Sequence, residues 1–161
     1  MAMLIKVGDR LPNVTFRVMT SDGPKPKTTD EVFKGKKVAL FGMPGAFTGP
    51  CHGKHMPTVV QNLEALRAKG IDTVAVTSVN DPFVLGAWQK AIGTDQVELL
   101  GDGNAEFATA IGLTFDGSHI GFGTRSQRYS MLVEDGVVKK LNVEQPGKFE
   151  VSGGQTLLTQ L

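Results

Sequence analysis

The sequence predicts an α/β protein: a central sheet of mixed strand direction with helices on both faces. Three observations carry that prediction. Apolar, β-rich runs alternate with helix-forming segments through the first two thirds of the chain, a pattern that joins parallel strands by helical crossovers. Two further runs flank Asp135-Gly136, the dipeptide of a tight antiparallel hairpin. Finally, 20 glycines and eight prolines in 161 residues punctuate the chain at the short intervals that many short elements need.

Taken in order, Ser21 to Lys27 is a polar turn cluster, the one linker-like stretch. It lies too near the N-terminus to divide domains, so residues 1–161 are read as one domain. Thr29-Asp30-Glu31 offers a cap and early acidic residues for a short helix that Gly35 closes. Lys37 to Phe41 is a buried strand, and Gly42 to Pro50 a loop. Thr58 to Lys69 puts Val59, Leu63 and Leu66 on one helical face and stops at Gly70. Ile71 to Ser78 is a strand. Asn80-Asp81-Pro82 then starts a helix that ends at Gly93. Val97 to Leu100 is a strand, Ala105 to Ile111 a helix stopped by Gly112, and Tyr129 to Val133 pairs with Val137 to Leu141. Gln155 to Leu161 forms a last helix. This order suits a thioredoxin-like fold.

Composition narrows the function. Charged residues make up 20% and hydrophobic residues 40%, which is the balance of a folded globule, not a disordered chain. Seventeen Lys and Arg against sixteen Asp and Glu leave no basic surplus for gripping phosphate backbones, so no nucleic-acid partner is expected. No apolar run approaches the ~20 residues that span a bilayer. The N-terminal stretch reaches charged residues within its first ten positions and has no apolar core, unlike a secretory signal. One cysteine forbids an intrachain disulfide and fits a reducing compartment, so a cytoplasmic protein is expected.

That cysteine is Cys51, where a strand has ended in a loop and a helix begins. Ligands of open α/β sheets bind at this edge. A thiol at a helix N-terminus meets unpaired N–H donors and the positive end of the macrodipole, which favour the reactive thiolate. Thr48, three residues earlier, can place its hydroxyl in the same small volume, and Pro44 can shield the thiol from water. Cys51, His52 and His55 could ligate a metal only with further partners, and His119 is far along the chain, so no metal is expected. His55 is read as a structural residue beside the loop, and His52 as solvated. No glycine-rich phosphate loop follows a strand, so no nucleotide cofactor is expected either.

The loop Phe41-Gly42-Met43-Pro44-Gly45-Ala46-Phe47-Thr48-Gly49-Pro50-Cys51 resembles the peroxiredoxins, whose active loop reads Pro-x-x-x-Thr-x-x-Cys. Pro-Gly-Ala-Phe-Thr is similar to the type II (Prx5) subfamily. The resemblance continues through His55-Met56-Pro57, Trp88, Gly101-Asp102 and Arg128-Tyr129-Ser130-Met131 to Leu141-Asn142-Val143-Glu144. It implies a thioredoxin-fold peroxidase in which Cys51, Thr48 and Arg128 are catalytic, and Pro44, Gly49 and Pro50 shape the substrate pocket. Its substrates would be hydrogen peroxide and alkyl hydroperoxides. Relatives that resolve within one chain use a second cysteine near the C-terminus, but Phe149 to Gly153 has none. The expected reductant is therefore an external thiol, glutathione with glutaredoxin or thioredoxin, and the resemblance implies a homodimer. Arg125, three residues before Arg128 and on the other side of an extended strand, is set aside. Pro50 departs from the subfamily, which offers a backbone N–H at that position. Two other readings stand beside this one: a thiol transferase or hydrolase using Cys51 without peroxide, and a non-catalytic redox interaction module.

Overall fold

The computed structural model describes residues 4–161; Met1 to Met3, which begin the N-terminal stretch and the domain read above, lie outside the described residues. The chain opens with a hairpin of β1 (Thr15–Thr20) and β2 (Gly23–Thr28), followed by α1 (Thr29–Phe33) and β3 (Lys37–Gly42). A loop leads into a helical run: a π-helical turn over Cys51–His55, then α2 (Met56–Gln61) and α3 (Leu63–Ala68). Next come β4 (Thr73–Ser78), α4 (Pro82–Ile92), β5 (Val97–Gly101) and α5 (Glu106–Ile111). The short strands β6 (Thr114–Asp116) and β7 (Thr124–Ser126) pair with each other. The chain then closes with β8 (Tyr129–Glu134), β9 (Val137–Val143) and α6 (Gly154–Thr159).

The main sheet has the order β2-β1-β5-β4-β3-β8-β9. Its centre, β5-β4-β3, is parallel, and both flanks are antiparallel. This is the mixed sheet of a thioredoxin-like fold, as the sequence predicts. The central strands are covered on both faces, which is why they are almost wholly apolar. Ala39, Phe41, Val74 and Val76 pack with Trp88 and Leu66 on one face. Val38, Leu40 and Ala75 pack with Phe33, Phe107 and Ile111 on the other. Burying each such large side chain contributes roughly 1.5–3 kcal/mol, so these two layers supply most of the driving force. Among the described residues no helix is long and apolar enough to cross a membrane.

Two expectations need correction, and some strands were not predicted at all. The stretch read as a linker, Ser21 to Lys27, is mostly β2, an edge strand. Pro24 and Pro26 are two apart, so both turn their missing N–H to the same side, the free edge, while β2 pairs with β1 through the other side. The helix read from Thr58 to Lys69 starts earlier, at Gly49, and breaks at Asn62. There the side-chain amide donates to the Thr58 carbonyl at 2.7 Å and the backbone leaves helical geometry (φ −105°, ψ 8°). Strands β1, β6 and β7 have no counterpart among the predicted elements; β6 and β7 are only three residues each. The Asp135-Gly136 turn is as expected, with both residues at positive φ (49° and 78°).

One register positions the site. Gly42, the last residue of β3, pairs with Tyr129, the first of β8. Arg128 therefore stands beside the point where β3 runs out into the loop that carries Cys51. A Cβ on Gly42 would lie 2.1 Å from the Tyr129 ring, so only glycine lets that ring cross the strand end.

Candidate active site

The loop between β3 and the helix is pinned at several points. Met43 donates its N–H to Thr77 O, and Ala46 N–H donates to the Asn80 side chain at 2.9 Å. Arg125 Nη1 donates to Pro44 O at 3.1 Å while its guanidinium lies over the Phe122 ring. Gly45 makes room for it, since a Cβ there would sit 2.5 Å from Arg125 Nη1. Thr48 closes the turn by donating its hydroxyl to Gly45 O at 2.7 Å. That leaves the lone pairs of the Thr48 oxygen to accept from a bound ligand.

Pro50 has helical angles (φ −66°, ψ −31°), so its fixed ring suits the turn that begins there. Cys51 belongs to this first turn, where N–H groups have no acceptor further up the helix. The Met56 N–H bonds back to Cys51 O, a five-residue step that widens the turn. Such bulges are found mostly at functional sites. Cys51 and His55, four apart, both point inward and are fully buried.

Arg128 joins them. Its Nη2 donates to Cys51 Sγ at 3.0 Å, and its Nη1 to His55 Nδ1 at 2.9 Å. A guanidinium only donates, so Nδ1 must be the unprotonated nitrogen and Nε2 must carry the hydrogen. Nε2 accordingly donates to Ser152 O at 2.8 Å. Burial, reinforced by the Arg128 charge, drives the His55 pKa from 6.5 down to about 3, so the imidazole is neutral at pH 7. The Phe149 ring packs against His55 and lies near Arg128. Ser152 is in turn held by Glu144, which accepts from the backbone N–H groups of Glu150, Val151 and Ser152 and from the Ser152 hydroxyl. Burial pushes the Glu144 carboxyl up, but these donors outweigh it and leave its pKa below the usual value.

A cavity of about 830 Å³ opens onto this arrangement. Pro44, Thr48, Gly49, Pro50 and Arg128 line it, with Phe115, Ile120, Phe122 and Phe149 supplying apolar wall. Arg128 thus bridges the cavity and the buried sulfur. A polarisable nucleophile lies against a fixed cation that reaches the cavity, and Thr48 on the cavity wall keeps a free acceptor, which suits attack on a weak, uncharged bond such as O–O.

The sequence-predicted residues therefore converge: Arg128 contacts Cys51 directly, and Thr48, Pro44, Gly49 and Pro50 border the cavity. The Thr48 hydroxyl, however, is donated to Gly45 and not to the sulfur. Arg125 is no bystander, because Gln127-Arg128 links two different sheets and strand alternation does not run through it. His52 is exposed but accepts the Trp88 indole N–H at Nδ1 (2.9 Å) and stacks on Phe47, so it is not merely solvated. His55 is more than a neighbour of the loop. Sequence reasoning gives Glu144 and Ser152 no role at the site; Glu144 enters only as the end of the segment Leu141-Asn142-Val143-Glu144 that carries the resemblance, and Ser152 leaves no signal. Among the described residues no group of three or more His, Cys, Asp or Glu side chains could hold a metal.

Residues 6–158 match the Redoxin family model. A peroxiredoxin of Synechocystis sp. is 43% identical, the alignment covering 95% of this chain and 89% of that protein. Peroxiredoxin-2B of Arabidopsis thaliana is 39% identical over 98% of both chains. A crystal structure of reduced Prx3 of Vibrio vulnificus in complex with hydrogen peroxide is 44% identical, with a TM-score of 0.94, covering 98% of this chain and 99% of that one. Peroxiredoxin 5 of Alvinella pompejana superposes with a TM-score of 0.85 at 32% identity, covering 96% of each chain. The chain belongs to the peroxiredoxin family and is a thiol peroxidase.

Proposed function

We propose that this peroxidase reduces hydrogen peroxide and alkyl hydroperoxides through the Cys51 thiolate, and that residues 1–161 act as one domain. The sulfur attacks the terminal peroxide oxygen and the O–O bond breaks. The sulfur keeps that oxygen as a sulfenic acid, and the other oxygen leaves as water or an alcohol after taking a proton. Negative charge moves from sulfur to the leaving oxygen during this step. Arg128, already 3.0 Å from Sγ, is placed to stabilise both ends of that movement. That contact is the observation that carries the reading. The Cys51 N–H supplies a second donor, and the Thr48 oxygen accepts the hydroperoxide O–H.

A hydrolase reading fares worse. It needs a base, and His55 has both ring nitrogens engaged and a pKa of about 3. A non-catalytic module would have no use for a cation fixed on a buried thiol.

Reset requires an external thiol, because Cys51 is the only cysteine in the chain. Glutathione would attack the sulfenic acid, releasing water and leaving a mixed disulfide, which glutaredoxin then reduces. Thioredoxin is the alternative reductant. A homodimer formed through loops near the site fits the exposure of Phe47 and Ile120 there, and the free thiol fits a reducing compartment such as the cytoplasm. Steady-state peroxide consumption tests this: turnover with glutathione and glutaredoxin is expected, and none with Cys51→Ser. Efficient turnover with thioredoxin alone would assign the other reductant.

A further inference from the structure

We propose that Glu144 is a positioning residue for Arg128, acting through Ser152 and His55 to hold the guanidinium on the Cys51 sulfur. This rests on the peroxidase reading of Cys51 and Arg128. The contacts form a closed circuit. The Glu144 backbone N–H donates to Arg128 O at 3.0 Å, anchoring Glu144 to the main chain of the residue it serves. Its carboxylate then gathers three successive backbone N–H groups, Glu150 to Ser152, at 2.7–2.9 Å, together with the Ser152 hydroxyl at 2.7 Å. Ser152 O takes the Nε2 hydrogen of His55, and His55 Nδ1 returns to the Arg128 side chain.

Each link has a reason. Residues 144–153 contain no helix or strand, so no ladder fixes where the Ser152 carbonyl points. A carboxylate accepting several charge-assisted bonds does. An imidazole keeps its hydrogen on Nε2 only while that nitrogen has an acceptor, and only that tautomer offers Nδ1 to Arg128. Because His55 is a neutral partner, it orients the guanidinium without drawing its charge from the sulfur. Glu144 contributes its charge at a distance, through geometry.

The test is Glu144→Gln, which keeps the side chain's size but turns amide hydrogens toward backbone donors. Two readouts are needed: nitrogen chemical shifts of the His55 ring and the rate of peroxide reduction. The wild type is expected to show a single Nε2–H tautomer. The variant is expected to show both tautomers and a rate about tenfold lower. If Glu144→Gln does not fold, Ser152→Ala removes one of the donors and is expected to show the same tautomer change at smaller size, with about a twofold loss in rate. A variant that is only less heat-stable, with the wild-type tautomer, overturns the proposal. The tautomer readout needs no peroxide, so it decides the matter even if the peroxidase reading fails.

Discussion

Arg128 Nη1 donates to His55 Nδ1 across 2.9 Å, while the neighbouring Nη2 of the same guanidinium donates to Cys51 Sγ across 3.0 Å. The planar fork is satisfied on two atoms of one widened helical turn. A lysine could not do this, because its ammonium is a single point with no fixed second arm.

Arg128→Ala is therefore expected to slow peroxide reduction at least tenfold, equivalent to ~1.4 kcal/mol or more of lost transition-state stabilisation. Arg128→Lys should recover little of that rate. Stopped-flow rates check this; a rate equal to the wild type's in Arg128→Ala would remove Arg128 from the mechanism.

Acid stability should report on His55. Its folded pKa is about 3 against 6.5, burial being the larger cause and Arg128 the next. Between those values the unfolded chain binds a proton there that the folded chain refuses. Stability is thus complete above pH 6.5 and is lost as pH falls through the window. At ~1.4 kcal/mol per pH unit, the wild type should lose roughly 2–3 kcal/mol more than His55→Asn between pH 6.5 and 4.5. Glu144, whose lowered pKa makes its own contribution fail only below about 4.5, stays out of this range. Calorimetric melts with equal slopes would mean that folded His55 does take up the proton.

Gly42→Ala should destabilise without touching the chemistry directly. The new Cβ would meet the fully buried Tyr129 ring at 2.1 Å, so the ring or the paired strand end must shift within a packed core. Overpacking of this kind costs about 1–3 kcal/mol. Chemical denaturation measures it, and a loss under about 0.5 kcal/mol would show that the strand end yields.

Pro50→Gly separates rigidity from donor count. Proline already has ideal angles here, so glycine should cost about 1 kcal/mol through unfolded-chain entropy. In exchange the loop gains the N–H that the resemblance leads one to expect. A faster peroxide step with a lower melting temperature is the expected outcome. A lower melting temperature with no gain in rate would show that the Cys51 N–H and Arg128 already suffice.

The parts legible in the sequence are those governed by local rules. The Asp135-Gly136 hairpin, the apolar central strands and the glycine-terminated helices follow from turn chemistry and periodicity. The loop from Pro44 to Cys51 announces itself by residue type and spacing. What escaped depends on partners distant in sequence. Pro24 and Pro26 look like linker residues until a neighbouring strand takes their other side. Asn62 breaks a well-patterned helix by bonding back to Thr58. Arg125 acquires its contact with Pro44 only because the chain changes sheets at Gln127. Glu144, Ser152 and His55 are ordinary polar residues until the fold closes them into a circuit around Arg128.

The most direct test of the account is a single turnover on the reduced protein. One equivalent of hydrogen peroxide is added, and the chain is examined by intact mass and by peptide mapping. The account expects one oxygen atom gained per chain, located on Cys51, and its conversion by glutathione into one mixed disulfide per chain. Peroxide consumed equally well by Cys51→Ser, or oxygen found on methionine with Cys51 still a free thiol, would contradict it.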